Sequence, residues 1–226
     1  MAKGKEKADL LENSDILRGK LAGAEYWLEN HPKAVWGTVG GIALIAVLFF
    51  GARYYLSSQN ETAQKEMFQA IRYFEADSLK LALRGDGNNL GFEQVISDFP
   101  FTDASNLAHY YAGFIHLKQG EFKEAIDNLT SFSANDLLVQ ARAYCLTGDA
   151  YMEQKEFEKA ASFYSKAANF KPNKQFSPVY WLKAALAYEK LNKTDDAAEA
   201  YQAIIDQYSD SQEAQAAKKY KARLGK

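Results

Sequence analysis

Residues 141–174 read ARAYCLTGDAYMEQKEFEKAASFYSKAANFKPNK, and the pattern in this stretch organises the rest of the chain. A small residue, Gly148, is followed by a ring at Tyr151, then by Ala160, Tyr164, Ala167 and Pro172. Gln154-Lys155-Glu156-Phe157 breaks the run between the two halves. The spacing predicts a helical hairpin. Gly148 lets the two helices approach closely, Ala160 admits a ring from the opposing helix, and Pro172 stops the second helix. The same order recurs on either side. Ala125, Ala160 and Ala197 lie 35 and 37 residues apart. Twelve residues before each stands a small residue (Gly113, Gly148, Ala185), and nine before each a ring (His116, Tyr151, Tyr188). Four after come Leu129, Tyr164 and Tyr201, and seven after come Phe132, Ala167 and Ile204.

A period of this length with this order of small and aromatic residues resembles the tetratricopeptide repeat. The middle copy carries Tyr144 as well, and the third carries Trp181. Lys118-Gln119-Gly120-Glu121-Phe122 and Leu191-Asn192-Lys193-Thr194 are the matching turns. An earlier, degenerate copy is expected over 62–103. Met67, Ala70, Ile71, Phe74 and Leu81 share one face of a helix over about 62–84, and Gly85-Asp86-Gly87-Asn88-Asn89 breaks it. Phe92, Val95 and Pro100 then repeat the spacing of Tyr164, Ala167 and Pro172. Three repeats fill 104–209, and a polar capping helix follows within 210–226, as a solenoid needs for solubility. The expected fold class is all-α: one N-terminal transmembrane helix followed by an α-solenoid.

The transmembrane expectation rests on residues 34–52, AVWGTVGGIALIAVLFFGA, which carry no charge. As a helix they extend about 28 Å, close to the ~30 Å hydrocarbon core of a bilayer. Lys33 and Arg53 bracket them, and Trp36, Tyr54 and Tyr55 stand near the ends, where amphipathic rings favour the headgroup layer. A cleaved signal peptide fits poorly, because the lead is long and Arg53-Tyr54-Tyr55 is no cleavage site. Gly37 and Gly41 form a G-x-x-x-G that could admit another helix or have no role. Arg18, Lys20 and Lys33 on one side balance Arg53, Lys65 and Arg72 on the other; Lys3, Lys5 and Lys7 tip the count towards a cytoplasmic N-terminus. Within the lead, 1–33, residues 1–13 are charged. Leu10, Leu17, Leu21, Ala24 and Leu28 then mark one stripe of a helix starting near Ser14 and ending at Pro32. That stripe suits the bilayer surface or a docking face. Residues 53–61 read as a linker.

A net charge of −2 offers no concentrated basic face, so no nucleic-acid partner is expected. The lone Cys145 reads as a small apolar residue. His109 and His116 share a helix face at packing positions without a second ligand pair, so no metal is expected. No phosphate-binding glycine loop or nucleophile motif stands out, so neither cofactor nor catalytic residue is assigned, and the chain reads as a non-enzyme. Binding remains. The first helix of each hairpin should line a concave groove: Leu107, Tyr110 and Phe114 from copy one, Arg142, Cys145, Asp149 and Met152 from copy two, Val179, Leu182 and Leu186 from copy three. The dominance of apolar residues suggests a helix or an extended apolar segment as guest; the alternative is that some of these residues merely pack against neighbouring helices. Repeats that clamp a carboxylate use a Lys-x-x-x-Asn pair, but Tyr110 and Phe114 occupy the matching positions here.

Tyr26-Trp27-Leu28-Glu29-Asn30-His31-Pro32-Lys33 enters the Gly-rich run, and Arg53-Tyr54-Tyr55 leaves it ahead of the repeats. This layout resembles the YfgM family of bacterial inner-membrane proteins. The resemblance implies a cytoplasmic N-terminus, a periplasmic repeat domain, and association with the SecYEG translocon and with a PpiD-like periplasmic chaperone. It also implies contact with exported client polypeptides, with the lipid bilayer as the further partner. A general envelope scaffold, in outer-membrane assembly or a secretion machine, and an organelle-surface receptor with cytosolic repeats are the other readings.

Overall fold

The computed structural model of the protein describes residues 18, 21, 22 and 26–226. Leu10, Leu17, Ala24, Ser14 and the charged stretch 1–13 lie outside them. All regular structure among the described residues is helical, and the chain divides after Tyr55 into two units.

In the first unit, residues 26–30 are helical and His31 breaks the run. Helix α1, Pro32–Glu75, starts at once. Proline serves both ends of this junction. It has no N–H to continue the earlier helix, and its fixed φ suits the first position of the next. Residues 34–52 are helical throughout, with apolar side chains open on all sides: Ile42 and Ile45 are each 68% exposed and Phe50 67%. In water such a surface is costly; in hydrocarbon it is matched. The run is thus compatible with a single-pass membrane anchor.

The sequence reading is corrected at two places in α1. Residues 53–61, expected to be a linker, are helical. The helix expected over about 62–84 stops instead at Glu75. There Asp77 takes φ 55°, its N–H donates to the Phe74 carbonyl, and the Ser78 N–H donates to the Tyr73 carbonyl. That pair of bonds ends a helix when one residue turns left-handed, a place usually taken by glycine. With aspartate there, the stop carries no glycine signal. A short helix α2, Leu79–Arg84, follows, and then α3, Phe92–Asp98. Between them Asp86 anchors the loop, accepting from the Tyr73 hydroxyl (2.6 Å) and from the backbone of Asn88 and Asn89. Those donors, Tyr73 first, hold its carboxyl well below the usual carboxylate range.

Three hairpins follow: α4 (Asp103–Gln119) with α5 (Phe122–Ser131), α6 (Val139–Glu153) with α7 (Phe157–Asn169), and α8 (Ser177–Lys190) with α9 (Thr194–Gln207). Helix α10, Gln212–Arg223, caps the array, with the Ser211 hydroxyl accepting from the Ala214 N–H. The hairpins turn by one device. Gly120, Lys155 and Asn192 are left-handed (φ 79°, 61° and 57°), and the residue after each donates to the carbonyl of His116, Tyr151 or Tyr188. The turns are spaced as the alanines are, so the repeat holds in backbone geometry as well as in composition.

Packing accounts for the repeated side chains. Ala125, Ala160 and Ala197 are fully buried, as are Leu129, Tyr164 and Tyr201 to within a few per cent. A Cβ on Gly113 would meet Leu129, and one on Gly148 would meet the Tyr164 ring, so both glycines set the helix separation. Polar latches tie successive elements. Asp149 accepts from Tyr164 of its own hairpin and from Lys183 of the next, both at 2.6 Å. Glu189 likewise accepts from Tyr201 and from Arg223 of the cap, again at 2.6 Å. His116 is buried, with Nδ1 2.6 Å from Glu121 and Nε2 3.6 Å from Glu93. His109 bonds Asn128 at 2.9 Å.

Candidate partner-binding face

Two adjoining hollows lie along the first helices of the hairpins. The first, about 490 Å³, is bounded by Phe74, Tyr110, Tyr111 and Phe114 on one side and by Leu138, Arg142, Phe176 and Tyr180 on the other. Its rings form a connected cluster. Phe74 meets Tyr111 edge-on at 4.9 Å and Phe114 at 5.5 Å, and Tyr110 meets Tyr111 at 5.6 Å. Such contacts leave the rings ordered and half-exposed, a surface that can bury apolar side chains at small entropic cost. Burial raises the Tyr110 phenol, against the opposing pull of the Arg142 guanidinium; burial likewise pushes Tyr180 up to about 12. Both hydroxyls therefore remain hydrogen-bond donors at neutral pH.

The second hollow, about 720 Å³, shares Phe114 and Arg142 with the first and adds Leu117, Lys118, Leu146, Asp149, Met152 and Glu153 among others. It is more mixed in charge. Asp149 is committed there, held by Tyr164 and Lys183, so it shapes the wall more than it offers a free carboxylate. Arg142 is exposed between the hollows.

Of the groove residues expected from the sequence, the structure brings together Tyr110, Phe114, Arg142, Asp149 and Met152. Leu107 instead packs against two core clusters, one around Ala104 and Ala108 and one around Leu129 and Phe132. Cys145 is buried, and desolvation pushes its thiol up to about 12. Val179, Leu182 and Leu186 line neither hollow. Leu182 packs into the cluster that holds Ala214 and Ala217 of α10. Through Leu182 α8 thus meets the cap, whereas Leu186 stays exposed. Copy three contributes Phe176 and Tyr180 to the first hollow and Lys183 to the Asp149 latch. Sequence reasoning missed Phe74, Tyr111, Leu138, Phe176 and Tyr180. Tyr111, Leu146 and Lys183 recur at the 35- and 37-residue spacing, and that backward-facing register was the available signal. Gly37 and Gly41 lie one turn apart on α1, and a Cβ at either would meet nothing within 4 Å.

Residues 101–178 match a tetratricopeptide-repeat family, and residues 180–211 match a second one. The hairpins α4–α9 are therefore tetratricopeptide repeats, and the class defined by fold and site is an all-α repeat protein with an apolar N-terminal helix. Such repeats bind other proteins, and the face described above is where the first helices present rings and the exposed Arg142 side chain. No curated protein matches the chain.

Proposed function

We propose that the chain is an ancillary subunit of the SecYEG translocon, anchored in the bacterial inner membrane by residues 34–52. In this reading the repeat domain is periplasmic, binds a PpiD-like chaperone or emerging exported clients, and has no catalytic role. The observation that carries the proposal is the pairing of an apolar membrane-length helix with an aromatic-walled hollow on the same chain. An emerging, unfolded client exposes apolar segments, and the Phe74–Tyr110–Phe114 cluster suits such a guest. The resemblance at Tyr26–Lys33 and Arg53–Tyr55 supplies the identity of the partners.

Co-purification from membranes in mild detergent tests it. The intact chain should bring down the translocon or the chaperone, and recovery of neither would sink the proposal. Photo-crosslinkers at Tyr110 and Phe114 should capture the same partner, while one at Leu182 should not. Protease protection reads the topology: repeats digested in intact cells without outer-membrane permeabilisation, or in the cytosol, would contradict a periplasmic domain.

A further inference from the structure

Five non-glycine residues among those described have left-handed backbone: Asp77, Phe101, Lys155, Lys171 and Asn192. Phe101 is the one apolar member, at φ 65°. It is also 90% exposed, more than Ile42 or Ile45 in the apolar run, at 68% each. A bulky side chain is disfavoured in this conformation, and a ring in water gains nothing from packing. Glycine or asparagine would lower both costs. The fold therefore gives no reason for a phenylalanine, and a strained, exposed residue of this kind points to a use outside the fold.

Its surroundings suggest which. Phe101 precedes α4, whose Ala104 N–H donates to Asn60 Oδ1 at 2.9 Å. One turn on, Asn106 exchanges two hydrogen bonds with the backbone of Ser133, and the Asn135 carbonyl accepts from Lys171 Nζ. The loops 99–102, 133–138 and 170–176 thus form one edge of the repeat unit, opposite the Gly120, Lys155 and Asn192 turns. Leu137 and Leu138 are also exposed on this edge, at 45% and 50%. Residues 53–60 alone separate Asn60 from the end of the apolar run, which is about 12 Å as helix and at most ~28 Å even if fully extended. A headgroup layer adds roughly 5–8 Å outside the hydrocarbon on each side. A tether this short keeps the edge close enough for contact with lipid headgroups to be available to it.

We propose that this inter-repeat edge docks on the surface of the bilayer that holds residues 34–52, with the Phe101 ring inserted among the headgroups. The proposal rests on the membrane reading of that run, not on any translocon partner. Attraction to anionic lipid is not its basis, since Asp98, Asp103 and Asp136 accompany Lys171 and Lys174 along the edge. Tethering replaces affinity: one ring and two leucines suffice because the anchor keeps the local lipid concentration high.

The test uses the full chain in phosphatidylcholine vesicles. An environment-sensitive fluorophore is placed at Asp98→Cys, beside Phe101 but not replacing it, or at Lys155→Cys on the opposite edge. Cys145 is buried and stays in place. With headgroup-nitroxide lipid, the label at 98 should lose most of its fluorescence and the label at 155 little. Adding Phe101→Gly should restore the signal at 98 while leaving the circular dichroism unchanged. Equal quenching at 98 and 155, no effect of Phe101→Gly, or quenching that requires anionic lipid would each overturn the proposal. A third label at Ile45→Cys, read with acyl-chain nitroxide, separates the failures. Quenching at 45 without quenching at 98 leaves the anchor standing and removes the edge contact, whereas quenching at neither removes both.

Discussion

Gly148→Ala should destabilise the repeat unit, although alanine is the better helix former. The added Cβ would lie 2.7 Å from both Cδ1 and Cε1 of Tyr164. Ordinary contact begins near 3.4 Å, so the ring must retreat by 3.4 − 2.7 = 0.7 Å. Tyr164 has little freedom to do so. It is 3% exposed, and its hydroxyl is 2.6 Å from Asp149, which also holds Lys183 of the next hairpin. Overpacking of this kind costs about 1–3 kcal/mol. Replacing a mid-helix glycine by alanine returns about 1 kcal/mol. The net expectation is a loss of up to about 2 kcal/mol, or up to ~8 °C in Tm for a unit of this size. Urea denaturation of residues 56–226, followed by circular dichroism, measures it. In a Tyr164→Ala background the ring is gone, and Gly148→Ala should become neutral or stabilising, so the two changes are strongly coupled. A Gly148→Ala variant about 1 kcal/mol more stable than the parent would refute the close-approach argument, because helix propensity alone would then account for it.

The remaining expectations concern other parts of the same scaffold. Gly113→Ala should cost more than Gly148→Ala, because its Cβ meets the Leu129 backbone nitrogen at 3.1 Å as well as the Leu129 side chain, and backbone yields less than a ring; parallel denaturation curves give the order. Lys155→Gly should raise stability by up to about 1 kcal/mol, because the left-handed turn then carries no Cβ penalty; the midpoint in urea should rise, and a fall would mean that the lysine makes a compensating contact. Cys145 should be unreactive to maleimide in the native state and react once the repeats unfold. Its thiol is pushed from 9.0 up to about 12, chiefly by burial, so the folded form keeps its proton where the unfolded form has lost it. Stability from this group is full below pH 9 and falls between pH 9 and 12, by at most about 1.4 kcal/mol per pH unit; Cys145→Ala should flatten that part of the profile. Arg142→Ala, at an exposed site, should change stability by less than about 0.5 kcal/mol.

Much of the molecule was legible in the sequence, for a reason particular to repeats. Each hairpin buries the same positions, so one copy checks another: Ala125, Ala160 and Ala197 are all fully buried, and the three turns fall at the same interval. The candidate face was less legible. Tyr110, Phe114 and Arg142 came from the forward side of their helices, but Phe74, Phe176 and Tyr180 reach the same hollow from the degenerate copy and from the backward side of copy three. Of the forward register carried on to Val179, Leu182 and Leu186, none lines either hollow, and Leu182 packs with Ala214 and Ala217 of α10, which follows the last hairpin.

The sequence by itself determined the composition of the apolar run, the number of clear hairpins and the residues that close them, since local spacing and helix period specify these. Tertiary structure decided where α1 stops, which side of each first helix faces a hollow, and that Asp149 is a latch rather than a ligand. Those outcomes depend on which element lies next to which. Asp77 turns left-handed where no glycine marks the stop, and Lys183 finds Asp149 across 34 residues of chain. Periodicity describes one helix at a time, whereas a hollow or a latch belongs to a pair of helices and exists only once they pack.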